Sequence, residues 1–216
     1  MKIVHEEILI DAGTFSQSLE WNAIHREITD AIATIRWPVG SPNFTLHTEK
    51  HGNGVSAIKT ACMEHLKTKD WKLERSIDIA TLKKPGPMDA SCIVGSQLFC
   101  LEWETGNISS THRAINKMAL GMLKEIFVGG VLVLPSRAMY RYLTDRIGNY
   151  EEIEPYFDLW KSLSIKNGIL MVIAIEHDAL DMAVPKIRDS GHCDEQNPSH
   201  VRRPDRVYCP GLARSV

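Results

Sequence analysis

A chain of 216 residues can bury one substantial core, and its 44% hydrophobic and 24% charged residues exclude the disordered and fibrous classes. The formal net charge of −2 argues mildly against a nucleic-acid partner without excluding one, because only the face that meets phosphate must be positive. No apolar run approaches the ~20 residues of a membrane helix. The opening MKIVHEEILIDAG, acidic after a single lysine, makes a poor signal peptide. A cytoplasmic protein with no membrane partner is expected.

Taken in chain order, residues 18–36 carry Leu19, Ile24, Ile28, Ile32 and Ile35 at helical spacing, with Ser18 as N-cap. Trp37-Pro38 stops that helix, since a residue before proline avoids the helical region. A strand is expected at Phe44–His47, then a glycine turn, then a helix over 55–68 through Ile58, Cys62 and Leu66. Leu73–Leu82, with Ile77 and Ile79 alternating, reads as a strand, KKPGPMD as a loop, and 92–94 and 97–104 as further strands. A helix follows at about 109–126 with Ile115, Met118, Met122 and Ile126 on one face. VGGVLVLP is wholly apolar and reads as a strand in the middle of a sheet, GILMVIAIE reads as another buried strand, and helices are expected between them at about 136–143 and 151–164. Alternating strands and helices predict an α/β domain with a mixed central sheet flanked by helices.

Five cysteines without a regular framework suit reduced, buried thiols better than disulfides. His192, Cys193, His200 and Cys209 in the tail lack the close ligand pairs typical of a zinc site.

The segment LFCLEWETGN holds the chemistry. Along a strand, side chains alternate, so Glu102 and Glu104 share one face about 7 Å apart, while Phe99, Leu101 and Trp103 point the other way. Asp89 leads into the same hairpin, giving Asp-x(12)-Glu-x-Glu. Converging carboxylates repel one another and are stable only when partly protonated or neutralised by a cation. Hard divalent ions with oxygen ligands suit such a cage. A half-exposed strand with two solvated glutamates fits the same spacing, and spacing does not separate the two readings.

The surrounding residues do. LEWETGNISSTHRAINK, then YLTDR and EEIEPYFDLW, with GNGVSAIK, the Trp71–Ile79 segment, PGPMD and VPK, closely resemble the BamHI/OkrAI-type restriction endonucleases from about residue 20 to about residue 190. The resemblance implies a PD-(D/E)XK restriction-endonuclease-like fold, a homodimer, Mg²⁺ as cofactor and double-stranded DNA as substrate, cut at a palindromic site with GGATCC as the leading expectation. It implies an active site of Glu74, Asp89, Glu102 and Glu104. Asp89 and Glu102, with Glu74 as an outer or second-metal carboxylate, would hold the metal. Glu104 stands where most of the superfamily carries lysine, so the resemblance implies an acid there that helps activate water or holds a second metal, and Glu104 would orient or deprotonate the attacking water. On residues alone, Glu74 reads equally well as a surface glutamate beside Arg75.

For DNA recognition the resemblance implies Asn107, Ser109 and Arg113 at the start of a helix aimed into the major groove, and Asp145 and Arg146 as readers of a guanine/cytosine pair. Lys59 and Lys117 match positions that approach the DNA, and Asp189 matches an aspartate of the C-terminal recognition segment. Bland readings stand beside these: Asn107 as a helix cap, Lys117 as a solvated lysine, Asp145-Arg146 as a surface ion pair. The helices at about 109–126 and 151–164 would form the dimer interface. Residues 1–190 would make the nuclease domain and 191–216 a tail, loop-like or partly disordered, with no clear counterpart in the family. A companion DNA methyltransferase is expected in the same cell, though not as a stable partner. A sequence-specific DNA-binding protein on this scaffold, cutting weakly or not at all, is the alternative.

Overall fold

The computed structural model describes residues 1–79 and 86–188. The first element, β1 (Lys2–Ala12), is one that no periodicity announces. Register shifts between Ile3 and His5, and again between Ile8 and Ile10, break its alternation, so no period of two survives in the sequence. Helix α1 (Leu19–Ala33) starts where expected, with the Ser18 hydroxyl accepting the Trp21 N–H at 3.1 Å. Its buried stripe is Trp21, Ile24, Ile28, Ala31 and Ile32, while Leu19 in the first turn is exposed.

β2 (Thr45–Leu46) is shorter than expected and pairs in parallel with a second short strand, β8 (Ala179–Leu180). Helix α2 (Ser56–Lys67) follows, then the hairpin strands β3 (Lys72–Ser76), β4 (Pro87–Val94) and β5 (Gln97–Trp103). Two expectations are corrected here. β3 ends at Ser76, so Ile77 and Ile79 are buried beyond it. Pro87–Asp89 is not loop, because β4 begins at Pro87 and already pairs with β3 there. Proline is tolerated at the first residue of a strand.

Helix α3 (Ile108–Leu123) leads into β6 (Phe127–Pro135), and after α4 (Arg137–Tyr140), α5 (Tyr150–Ile153) and α6 (Phe157–Lys161) the chain enters β7 (Gly168–Glu176). The helix expected over 151–164 is instead two short helices around a 3-10 turn at Glu154–Tyr156. Pro155 lies in that turn and has no N–H to continue an α-helical ladder.

Among the described residues the main sheet has the order β1-β7-β6-β5-β4-β3. β5, β6 and β7 run parallel, and the outer pairings are antiparallel. The mixed sheet is as expected, and every residue of β6 is buried. Its side chains divide between two cores. Val131 and Val133 join Trp21, Ile28 and Ile32 of α1 and Leu66 of α2 on one face. Leu132 and Leu134 join Ile115, Met118 and Met122 of α3 and Trp160 of α6 on the other. β5 obeys the same division: Phe99, Leu101 and Trp103 belong to the α1/α2 side and Cys100 to the α3 side. The alternation therefore carries Glu102 toward α3.

Candidate active site

The hairpin of β4 and β5 delivers two acids and the turn after β5 delivers a third. Asp89, Glu102 and Glu104 are all buried. They line one cleft of about 420 Å³ with Lys59, Ser110, Arg113 and Lys117. Glu74 stands outside it. The pairing of Leu73 with Ala90 and Arg75 with Met88 sets Glu74 across from Asp89. Its positive φ of 49° turns the backbone out of the strand conformation, and its side chain is 62% exposed.

Each buried acid is held differently. Asp89 accepts the Trp103 backbone N–H on Oδ2 at 2.8 Å and the Lys59 ammonium on Oδ1 at 2.5 Å. Lys59, reaching over from α2, also lies 3.6 Å from Glu74. Glu102 is ion-paired with Lys117 of α3, whose ammonium also donates to the Pro87 carbonyl at 3.1 Å. Glu104 is held by its own turn and the next helix. Its Oε1 accepts the Gly106 N–H, and its Oε2 accepts the Thr111 hydroxyl, both at 2.5 Å.

Burial, and then the charge of Asp89, push the Glu102 carboxyl up to about 7 even with Lys117 beside it. Burial also raises Glu104, against the pull of its hydrogen bonds from Thr111 and the backbone of Gly106 and Thr105. Burial alone would lower Lys59, but the hydrogen bond and charge of Asp89, with Glu74 and Glu102, raise it overall. Carboxyls raised by burial beside a raised ammonium are the signature of a site whose acids need further positive charge. Oxygen-only donors under that electrostatic demand suit a hard divalent cation. Among the described residues, no three His, Cys, Asp or Glu side chains stand together in metal-holding geometry. The ammonium groups of Lys59 and Lys117 take Asp89 Oδ1 and Glu102 as their partners instead.

Residues 1–192 match the family model of the BamHI restriction endonuclease. The chain belongs to the BamHI family of restriction endonucleases. It is 49% identical to the type II restriction enzyme OkrAI of Oceanobacter kriegii over 187 residues, covering 87% of this chain and 95% of that protein. It is 41% identical to the type II restriction enzyme BamHI of Bacillus amyloliquefaciens over 143 residues, covering 62% of this chain and 67% of that one. The fold is similar to that of the restriction endonuclease BglII in its complex with a DNA 16-mer. The TM-score is 0.58 at 12% identity, over 82% of this chain and 79% of that one.

In this BamHI-family chain the residues expected to read DNA fall in two groups. Asn107 is the N-cap of α3, its side chain accepting the Ser110 N–H at 3.2 Å, so the capping reading holds for its oxygen. Ser109 and Arg113 are exposed on the first turns of the same helix. Asp145 and Arg146 are exposed, 3.7 Å apart as an ion pair, and Arg146 has a positive φ of 73°. A groove of about 260 Å³ joins them to Thr105, Gly106 and Asn107. Lys59 and Lys117 do not stand out in solvent. They point into the acid cleft, and Lys117 is buried. Asp189, the tail residues 191–216 and the possible zinc ligands there lie outside the described residues.

Position 104 of this chain carries glutamate and not lysine, yet the fold brings two lysines, Lys59 and Lys117, to the site from other elements. Sequence reasoning also passed over Thr111 and Gly148. Thr111 is fully buried under Glu104. A Cβ on Gly148 would lie 2.1 Å from the Thr111 hydroxyl oxygen. Neither residue type advertises a site, and only the packing of α3 against the 145–148 corner makes them informative.

No helix among the described residues is long and apolar enough to cross a membrane. Cys62 and Cys100 are buried and Cys92 half-buried, all free. Burial pushes the thiols of Cys62 and Cys92 up to about 12, as expected of unreactive reduced cysteines.

Proposed function

We propose that this protein is a type II restriction endonuclease that cuts both strands of a palindromic DNA site, with GGATCC as the leading assignment, in a Mg²⁺-dependent reaction. The observation that carries the reading is the cleft itself. Buried Asp89, Glu102 and Glu104, with Lys59 and Lys117, open beside exposed polar residues at the N-terminal end of α3. Family membership and the type II names of both relatives supply the reaction class.

Mg²⁺ held by Asp89 and Glu102, with Glu74 as an outer carboxylate, would polarise the scissile phosphate and steady the leaving 3′ oxygen. The chain's own groups do the rest. Glu104, fixed by Gly106 and Thr111, orients the water for in-line attack and accepts its proton. Lys59 and Lys117 counter the acids in the free protein and, turned toward DNA, neutralise phosphate charge. Asn107, Ser109, Arg113, Asp145 and Arg146 read base edges, and Arg with Asp suits a guanine/cytosine pair. Asp189 would add a contact from the C-terminal segment. Residues 1–190 form the nuclease unit, which works as a two-fold dimer because a palindrome mirrors protein symmetry. A methyltransferase protecting the same site belongs in the same cell.

The alternative, a sequence-specific DNA-binding protein that does not cut, leaves buried carboxylates facing phosphate, where they cost affinity. One experiment separates the two. Plasmids with and without GGATCC are incubated with the protein in Mg²⁺, Ca²⁺ or EDTA. Discrete fragments from the GGATCC plasmid in Mg²⁺ alone support the endonuclease. A gel shift in Ca²⁺ without cutting in Mg²⁺ supports the binder. No interaction even at low salt, where phosphate contacts are strongest, rejects both.

A further inference from the structure

Thr111 sits where three parts of the site meet. Its hydroxyl donates to Glu104 Oε2 at 2.5 Å, and the residue is fully buried. It lies in the first turn of α3, between the capping residue Asn107 and the exposed Arg113. On its other side is Gly148, just past Asp145-Arg146. Any side chain at 148 would strike the Thr111 hydroxyl at 2.1 Å and come within 3.4 Å of the Ile108 Cα. The Gly148 N–H donates to the Gly106 carbonyl at 2.9 Å, and the Gly106 N–H donates to Glu104 Oε1 at 2.5 Å. Both oxygens of Glu104 are thus tied to the two elements that carry the exposed polar residues.

We propose that Thr111 is a positioning residue that couples the seating of α3 and of the 145–148 corner to the orientation of Glu104. The proposal rests on the endonuclease reading above and deepens it. A carboxylate with both oxygens engaged has one orientation, set by Gly106 on one side and Thr111 on the other. When base contacts shift α3 or the corner by a fraction of an ångström, the Thr111 hydroxyl and the Gly148 backbone move with them. Glu104 then turns relative to Asp89 and Glu102, which are anchored in the sheet. Correct base contacts and correct acid geometry become one event, and a wrong site is bound with Glu104 misaligned.

The test compares single-turnover cutting of a GGATCC duplex in Mg²⁺ with equilibrium binding of the same duplex in Ca²⁺. Thr111→Val keeps the shape and removes the hydroxyl. It should slow cutting about a hundredfold, the scale of a small misplacement of a reacting group, with DNA affinity unchanged. Thr111→Ser should restore most of the rate. Gly148→Ala, which crowds the same hydroxyl, should slow cutting with affinity retained, and it stands as the independent probe if Thr111→Val does not fold. The ratio of cutting rates for GGATCC over a duplex altered at one base pair should shrink in Thr111→Val, because only the cognate complex uses the coupling. The proposal is overturned if Thr111→Val cuts at the unaltered rate, if rate and affinity fall together, or if Thr111→Ser is as slow as Thr111→Val. A parent protein that binds the duplex without cutting it removes the endonuclease reading and this proposal with it.

Discussion

Lys117 and Glu102 form a largely buried ion pair at the wall of the cleft, with side chains only 8% and 11% exposed. A charge pair this deep in the protein is costly to break, because the surviving partner is left uncompensated. The Glu102 carboxyl, held up to about 7 by burial and by Asp89, binds its proton more tightly folded than unfolded. Its contribution to stability therefore falls as pH rises from the ordinary carboxylate range through about 7. Lys117 opposes that rise, so Lys117→Met extends the loss to higher pH. Lys117→Met should lower stability by about 3 kcal/mol in mildly alkaline buffer and by less in mildly acidic buffer, where Glu102 protonates. Urea melts of both proteins at the two pH values, without metal, check the sign.

Glu102→Ala removes a proposed metal-holding oxygen and a negative charge facing phosphate. Cutting of GGATCC plasmid in Mg²⁺ should vanish while specific binding of the duplex in Ca²⁺ persists or tightens. Normal cutting by this variant would show that Glu102 does not hold the metal.

With Glu102 near 7, protons would compete with the proposed metal for the same carboxylate. The cutting rate at fixed low Mg²⁺ should be level above about 7 and fall about tenfold per pH unit below it. Raising Mg²⁺ should move that limb toward lower pH. A limb that does not respond to metal concentration would point to another titrating group.

Glu74 is exposed and held at positive φ, so its removal should leave stability within about 0.5 kcal/mol. If it serves as an outer carboxylate through Lys59, Glu74→Gln should slow cutting, though less than Asp89→Asn does. Thermal melts alongside single-turnover rates distinguish the two effects. An unchanged rate leaves Glu74 as a surface residue.

Gly129 lies between β5 and β7, and a Cβ there would come within 2.4 Å of the Ile169 carbonyl oxygen and 2.7 Å of the Phe99 ring. Both neighbours belong to the packed centre of the sheet, so neither gives way cheaply. Gly129→Ala should cost about 2–3 kcal/mol, read as a lowered denaturation midpoint, with the chemistry of the acid cleft untouched.

The sequence by itself determined the elements whose signal is continuous along the chain. α1, α2 and α3 carry apolar residues at helical spacing with side-chain caps at Ser18 and Asn107. β6 throughout and β7 up to Glu176 are apolar because both of their faces are covered. Alternation along β5 set Glu102 opposite Phe99, Leu101 and Trp103, and the family resemblance marked Asp89 and Glu104 beside it. β1 stayed illegible because its bulges destroy the period, and the 154–156 turn because its interruption is local.

Only the tertiary structure decided what surrounds the acids. Lys59 and Lys117 enter the cleft from two different helices on opposite faces of the sheet. Glu74 turns outward through one backbone angle. Thr111 and Gly148 meet across a gap too small for a methyl group. The physical reason is range: periodicity and capping act between neighbours along the chain. The charge balance of a buried site is set instead by residues far apart in sequence, whose proximity exists only once the sheet and its helices are packed.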